Sequence, residues 1–519
     1  MNTDLPTPVF AACLGVLALT ALGTLPVVGH PLGSDWGHYF TAAEYIWDPV
    51  PGIAYPDFRK PWFGWLIGGI GQGVGYFHAA QWVSRFALVV MVCSTGLLGA
   101  ALASRWVGLS CAVTMLLMPL AMDGSLWVNH YPLLGAAVGL AFAAGAAAMR
   151  GPWLGWVLLA GLASGVAWAL DFRGVVAAPA AGGLVFLGGI GLSLRRLMAR
   201  LLLFVAVAAG PMTHDIWLQE TFSVPQLRPE AQLEVQRAGT LAQVQQGLVG
   251  GDRVREACSS EATTAFTVSA SMGDCATALR DSSWMRLNAM GHVPGGIPLL
   301  AGLAWLLPVG LKRRWLGAIA GAGILGAPLA SLYLGMGWVT YFDRYVLPFA
   351  VIIAALLPVA AGRLTMLIPV PKIAAPLGAV LGVLASVVVW PGLTARSLEA
   401  PEAVRSSEYH AGVFAGWARS QLAQGDAVID CAGLAVDSLL LPNRIDYVRF
   451  PPGDEACVAL IQAPPLKAGK VFLITMHRDI PPHARRDALP FSVEAVAAEG
   501  WVEAEHGLDV DGFRLWVRK

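Results

Sequence analysis

Long apolar runs alternate along the chain with short connections rich in Arg, Lys, Gly or Pro. Each run of about 20 mostly apolar residues predicts a helix long enough to cross a bilayer. About eleven such windows occur, near 9–28, 85–103, 107–122, 131–149, 152–170, 174–193, 201–217, 294–311, 315–335, 345–362 and 373–392. No basic residue precedes the first window, and no clean small-x-small cleavage site precedes Pro26. It therefore predicts a retained helix and not a removed signal peptide.

The polar positions sort the connections into two kinds. With the N-terminus in the cytoplasm, the inner connections hold Arg105, Arg150, Arg195, Arg196, Arg200, Lys312, Arg313, Arg314, Arg363 and Lys372, and no Asp or Glu. The opposite orientation would break the positive-inside rule. Three long segments then face outward: 29–84, 218–293 and 393–519. Strand-like runs at Ala427–Asp430, Ile445–Phe450, Val471–Met476 and Phe513–Val517, with helix-like stretches at 402–423 and 484–499, make the tail a small α/β domain. The expected fold is an α-helical polytopic membrane protein: a membrane domain over 1–392, with outer loops 29–84 and 218–293, and an extracytoplasmic α/β domain over 393–519.

Composition agrees with that picture. Hydrophobic residues make up 56% and charged residues only 13%, against about 25% charged in soluble domains. A water-soluble enzyme and a disordered chain are both excluded. The 34 basic residues balance the 34 acidic ones, so nothing calls for a nucleic-acid partner. Cys13, Cys93 and Cys111 fall inside predicted spans. Cys258 and Cys275 share one outer segment, and Cys431 and Cys457 share the tail. Neither pair has CxxC spacing, so the reading is two disulfides in an oxidising compartment and not zinc.

Candidate chemistry gathers at the outer ends of the spans. Asp35 follows the first span, with Trp36, His38 and Tyr39 beside it. Partial desolvation would make this carboxylate a better base; the same residue also reads as a helix cap ahead of Tyr39, Ala42, Ala43 and Ile46. Arg59-Lys60-Pro61 suits binding of a lipid phosphate, or membrane anchoring. Asp171 and Arg173 end the fifth span, and Asp343 and Arg344 open the tenth; each pair suits either a functional site or mutual neutralisation. Asp123 and Asn129-His130-Tyr131-Pro132 occupy the turn between the third and fourth spans, and His214-Asp215 ends the seventh. His38, His130 and His214 lack metal-ligand spacing, so no metal site is assigned. The glycines from Gly68 to Gly75 lack a Walker Lys and read as a packing surface.

Four of these motifs occur in a familiar order: Ser34-Asp35-Trp36-Gly37-His38-Tyr39, Phe58-Arg59-Lys60-Pro61-Trp62-Phe63, Phe172-Arg173-Gly174 and Arg344-Tyr345-Val346-Leu347-Pro348. The arrangement resembles the polyprenyl-phosphate-sugar-dependent glycosyltransferases of the membrane GT-C superfamily, in particular the protein O-mannosyltransferases and the lipid A aminoarabinose transferases. The resemblance covers roughly 1–392. It departs at Asn129-His130, where the family often has an Asp, and at Trp62, where the family has a second Pro.

The resemblance implies an inverting transfer of a sugar from a polyprenyl phosphate to an acceptor hydroxyl on the outer face. Asp35 would be the general base. Lys60, Arg59, Arg173 and Arg344 would hold the donor phosphate. Tyr39, His38, Asp123, His130, Asp171 and Tyr345 are further cavity candidates. No cofactor is required, and no residue pattern calls for a divalent metal. The implied partners are the lipid-linked sugar, membrane lipids and an acceptor among proteins, lipids or glycans. The implied location is a bacterial inner membrane, with a cytoplasmic N-terminus and a periplasmic tail. A transporter of lipid-linked sugars would instead show an inverted repeat or mid-span charge. A non-catalytic scaffold would leave Asp35, Lys60, Arg173 and Arg344 without a shared reason.

Overall fold

The computed structural model describes residues 4–25, 36–47, 60–126, 129–151, 153–224, 296–305, 319–326, 347–368, 370–389, 422–423, 426–431, 446–449, 455–464, 469–476, 493–504 and 513–518. Asp35, Arg59, Arg344, Tyr345 and the Cys258 and Cys275 pair lie outside the described residues.

The membrane part is a helical bundle. Its helices are α1 (Thr7–Thr24), α2 (Trp36–Trp47), α3 (Trp62–Val74), α4 (Tyr76–Leu102), α5 (Arg105–Leu117), α6 (Pro119–Gly124), α7 (Tyr131–Arg150), α8 (Leu154–Leu170), α9 (Ala177–Gly189), α10 (Leu194–Thr221), α11 (Gly296–Trp305), α12 (Ala350–Thr365) and α13 (Pro371–Val389). Short 3-10 turns at Phe172–Val176 and Leu347–Phe349 lead into α9 and α12. Every apolar window read from the sequence coincides at least in part with a helix. Among the described residues, five helices are long and apolar enough to cross a membrane: Thr7–Thr24, Tyr76–Leu102, Tyr131–Arg150, Leu194–Thr221 and Leu347–Thr365. Shorter apolar helices run between them. The chain is a mostly helical, multi-pass membrane protein. Its outer surface is as apolar as its core: Leu19, Phe86, Leu194, Leu202 and Val388 are all exposed, as lipid contact requires.

The boundaries differ from the sequence reading in three places, each for a physical reason. α4 starts at Tyr76, well before residue 85, because Gly75 adopts φ +87 and separates it from α3; other residues resist that conformation. The third window breaks at Met118, which is extended at φ −86, ψ 109, the backbone that a following Pro119 imposes. Asp123 therefore lies in α6 and not in a free turn. α10 runs on to Thr221, so His214-Asp215 lie within the helix instead of ending it.

Small residues let the helices approach closely. A Cβ on Gly108 would lie 2.5 Å from the Gly96 carbonyl, which fixes the α4–α5 crossing. The Gly-rich run packs α3 against α2: Cβ atoms on Gly64 and Gly68 would strike Ala42 and Trp47. That is the packing role read from the sequence.

The two ends of the bundle carry different chemistry. At one end, arginines donate to the last carbonyls of helices, which have no partner within the helix. Arg363 donates to Leu102 O of α4 and Arg150 to Ala103 O. Arg200 donates to Ala148 O of α7 and Gly188 O of α9. Arg105 donates to Leu5 O ahead of α1. These residues belong to the basic set that the charge rule groups on one side, so the same cations also close helix ends. The opposite end gathers the candidate site.

The tail holds a five-stranded mixed sheet. Its strands are β1 (Ala427–Asp430), β2 (Asp446–Arg449), β3 (Val471–Met476), β4 (Val502–Glu503) and β5 (Phe513–Arg518), in the order β2-β1-β3-β5-β4. β1 is parallel to β2 and β3, and β5 is antiparallel to β3 and β4. Four of these strands were legible in the sequence; the two-residue β4 was too short to show. Of the two helix-like stretches, 484–499 contains a described helix at Val493–Ala498, and 402–423 lies almost wholly outside the described residues. Cys431 and Cys457 form a disulfide, tying the end of β1 to the helix Glu455–Gln462.

If α4 and α5 meet through Gly96 and Gly108, Gly108→Val destabilises the protein by about 2 kcal/mol through overpacking. Gly183→Ala, with open space around it, stabilises by about 0.5 kcal/mol through reduced chain entropy. Thermal unfolding in detergent measures both.

Candidate functional site

The site begins at the ends of α7 and α8. Asn129 accepts a hydrogen bond from Tyr131 N at 3.0 Å and so helps to start α7, while His130 is its N-cap residue. Asp171 ends α8 and starts the following 3-10 turn, accepting from Arg173 N at 2.8 Å. That turn folds tightly back on α8. A Cβ on Gly174 would lie 2.0 Å from Ala167 O, so only glycine fits there. The Phe172-Arg173-Gly174 motif is thus a backbone requirement as well as a source of charge.

These two helix ends meet. His130 Nε2 lies 2.9 Å from Asp171 Oδ2, and Arg173 Nη1 lies 3.0 Å from the same oxygen. The other face of the imidazole ring reaches across to α2, where His130 Nδ1 is hydrogen-bonded to the Tyr39 hydroxyl. Arg173 Nη1 also donates to the Tyr131 hydroxyl at 3.3 Å, and its guanidinium sits 5.7 Å from the Tyr131 ring. Tyr39, His130, Tyr131 and Arg173 are all at most 5% exposed. A carboxylate buried among them needs these donors, because an unpaired charge in such surroundings is very costly.

Lys60 forms the adjoining half of the site, just ahead of α3. Its Nζ donates to Trp168 O at 2.5 Å, one of the last carbonyls of α8, and lies 3.5 Å above the Trp168 ring. The same ammonium is 3.2 Å from Asp215 Oδ2 on α10. Gln219, one turn later, donates to that oxygen at 2.7 Å. Asp215 is wholly buried, and its Oδ1 has no hydrogen-bond partner among the described residues.

The electrostatics follow from burial and pairing. Burial alone would raise the Asp171 carboxyl. The Arg173 guanidinium, the His130 donor and the Arg173 N–H outweigh it and hold Asp171 well below the usual carboxylate range. Burial pulls the Lys60 ammonium below its usual range, and the Asp215 carboxylate offsets only part of that, with a smaller contribution from Asp171. Lys60 and Asp171 therefore sense each other, and the two halves form one charged cluster at the end of the bundle opposite the helix-closing arginines.

Of the residues singled out in the sequence, the structure brings together Tyr39, Lys60, His130, Asp171 and Arg173. His38 belongs to α2 and Asp123 to α6, with their side chains outside the described residues. Asp35, Arg59, Arg344 and Tyr345 lie outside as well. The pairing alternative for Asp171 and Arg173 is realised, and Lys60 is held by partners of its own. The sequence reading overlooked three contributors: Asp215, Tyr131 and the Trp168 carbonyl. The His214-Asp215 dipeptide near a span end was the available signal for the first; a backbone carbonyl leaves none. Among the described residues, no three His, Cys, Asp or Glu side chains group as metal ligands.

No protein-family model and no curated protein matches the chain. Solved structures do. ArnT from Cupriavidus metallidurans in the apo state is similar with a TM-score of 0.47 and 13% identity, over 98% of this chain and 97% of that one. The apo oligosaccharyltransferase of Archaeoglobus fulgidus gives 0.45 and 12%, over 90% of this chain and 69% of that one. The mycobacterial arabinofuranosyltransferase AftD gives 0.46 and 13%, over 99% of this chain but only 42% of that one. The similar structures are thus glycosyltransferases. With TM-scores below 0.5, the likeness is one of overall outline and assigns no residue a role.

Because the folded value of Asp171 lies below the unfolded one, its stabilisation is present above about pH 4 and is lost as pH falls below that. Asp171→Asn should destabilise the protein by about 3 kcal/mol at pH 7, and the gap to wild type should narrow at pH 3. Unfolding in detergent at both values checks this. A gap that does not change with pH would mean that Asp171 acts by shape alone.

Proposed function

We propose that this chain is an integral-membrane glycosyltransferase of the GT-C type. It moves a sugar from a polyprenyl-phosphate donor to an acceptor hydroxyl on the outer face. One observation carries the reading: Tyr39, Lys60, His130 and Asp171-Arg173, drawn from four separate stretches of sequence, converge on one end of the helical bundle.

The chemistry suits the cluster. The acceptor oxygen attacks the anomeric carbon from the side away from the phosphate, giving inversion, and Asp35 takes the hydroxyl proton. The bond from the anomeric carbon to the phosphate oxygen breaks, and its electron pair leaves on the phosphate. The transition state has oxocarbenium character, as in other glycosyl transfers. Lys60 and Arg173, joined by Arg59 and Arg344, stabilise the charge building on the leaving group. Lys60 and Arg173 are already fixed by Trp168, Asp215 and Asp171, so little ordering remains when the donor arrives. The lipid phosphate supplies the activated bond, so neither a nucleotide nor a metal is called for in this reading. Undecaprenyl phosphate, bound in one structure of the Cupriavidus metallidurans protein, is a lipid of the donor class intended here. The outer face would be the periplasmic side of a bacterial inner membrane, with the tail sheet on that side.

Purified protein incubated with radiolabelled polyprenyl-phosphate sugars and a panel of lipid, peptide and glycan acceptors tests this reading. Wild type should transfer label, and Asp35→Asn should lower the rate at least about 100-fold, the scale of general-base loss. Lys60→Met should raise the donor KM about tenfold or more through loss of a charge-assisted contact. A fully active Asp35→Asn would sink the proposed base. Because Lys60 titrates below its usual range, transfer should decline on the alkaline side before pH 10.5, and Lys60→Arg should lose that decline.

A further inference from the structure

We propose that His130 is a positioning residue that sets the hydrogen-bond polarity of Tyr39, and through it the first turn of α2 next to Asp35. The relay is Asp171–His130–Tyr39. It rests on the glycosyltransferase reading only for its kinetic test.

With Asp171 ionised and His130 neutral, the contacts set the direction of each hydrogen bond in the relay. Asp171 is ionised and can only accept, so His130 Nε2, 2.9 Å from Oδ2, carries hydrogen. In a neutral ring the other nitrogen then has a lone pair. His130 Nδ1 therefore accepts from the Tyr39 hydroxyl. Tyr39 points its proton inward at histidine and offers only oxygen lone pairs to any other partner. Protonation of His130 reverses this. Nδ1 becomes a donor, the Tyr39 oxygen must accept, and the Tyr39 proton turns elsewhere.

Neighbouring elements hold the relay in place. Tyr39 packs edge-on against Phe63 of α3, with ring centroids 5.0 Å apart, and is 2% exposed. Among the described residues, the charged and titratable groups around His130 are Tyr39 from α2, Tyr131 from its own helix, and Asp171 and Arg173 from the end of α8. Lys60 reaches the relay through its field on Asp171, and Asp215 of α10 neutralises Lys60. α2 begins at Trp36, immediately after Asp35 in the chain, so Tyr39 lies four residues beyond the proposed base in sequence. A hydrogen bond that fixes Tyr39 also fixes the start of this helix. The relay further ties that start to Arg173, because both hang on the two ends of one Asp171–His130 pair.

The test compares His130→Gln, His130→Leu, Tyr39→Phe and the Leu/Phe double variant. Glutamine can donate to Asp171 and accept from Tyr39 but cannot titrate; leucine fills the space and does neither. His130→Leu and Tyr39→Phe should each lower kcat about 100-fold, as misplacement of a reacting group does, with donor KM changed less than about threefold. The double variant should be no worse than the weaker single one, as members of one unit are non-additive. His130→Gln should recover most of the rate lost in His130→Leu. It should also lose the acid limb that protonation of His130 gives to the wild-type rate. An unchanged acid limb in His130→Gln, or a wild-type rate in Tyr39→Phe, overturns the proposal. NMR of ¹⁵N-histidine-labelled full-length protein in detergent decides the geometry whatever the enzyme activity. The Nε2–H tautomer at neutral pH, disturbed by Tyr39→Phe, supports the relay; an Nδ1–H tautomer, or indifference to Tyr39→Phe, overturns it. Wild type inactive with every donor would refute the transferase reading and leave the NMR result to judge the relay.

Discussion

A buried carboxylate must be surrounded by donors, and Asp171 organises one end of this helical bundle around that need. It takes a backbone N–H and a guanidinium from Arg173 and an imidazole N–H from His130. The backbone bond shapes the turn after α8, where Gly174 must lack a Cβ to lie against Ala167. The imidazole bond joins α8 to α7 and, beyond it, to Tyr39 on α2. Remove the carboxylate and three segments lose their common anchor, while a guanidinium is left buried beside a tyrosine. Lys60 and Asp215 repeat the principle between the start of α3 and α10, with the end of α8 supplying a carbonyl.

The two ends of the bundle use basic residues for opposite purposes. At one end Arg150, Arg200 and Arg363 donate to carbonyls that terminate helices. Neutral acceptors suffice there, because the helix dipole already presents partial negative charge. At the other end Arg173 and Lys60 face carboxylates, and the pairs set charges of alternating sign close together. The first end closes helices; the second holds buried cations against buried carboxylates.

Glycine serves both purposes through one physical fact, the missing Cβ. Gly96 and Gly108 bring α4 and α5 together, and Gly64 and Gly68 seat α3 on α2 behind Tyr39. With little hydrophobic force between helices in lipid, such close contact supplies much of their cohesion. The position of Tyr39 relative to His130 thus depends on a packing face that carries no charge at all.

Much of this organisation was legible in the sequence. The bilayer demands apolar runs, so the helices announce themselves, and the cost of moving charge across lipid sorts basic connections to one side. Four strands of the tail and the Cys431–Cys457 pair were legible for similarly local reasons. So was the Asp171-Arg173 pair, whose members lie two residues apart. Tertiary structure alone decided the rest. Tyr39 meets His130 across 91 positions and Lys60 meets Asp215 across 155. Such meetings depend on how each helix is rotated and where its neighbour ends. α10 illustrates the point: its apolar pattern fixes that it is a helix, but only its packing against α8 turns Asp215 toward Lys60. Periodicity specifies a helix and its apolar face, whereas the partner of a buried charge is set by the register between helices, which no single stretch of sequence contains.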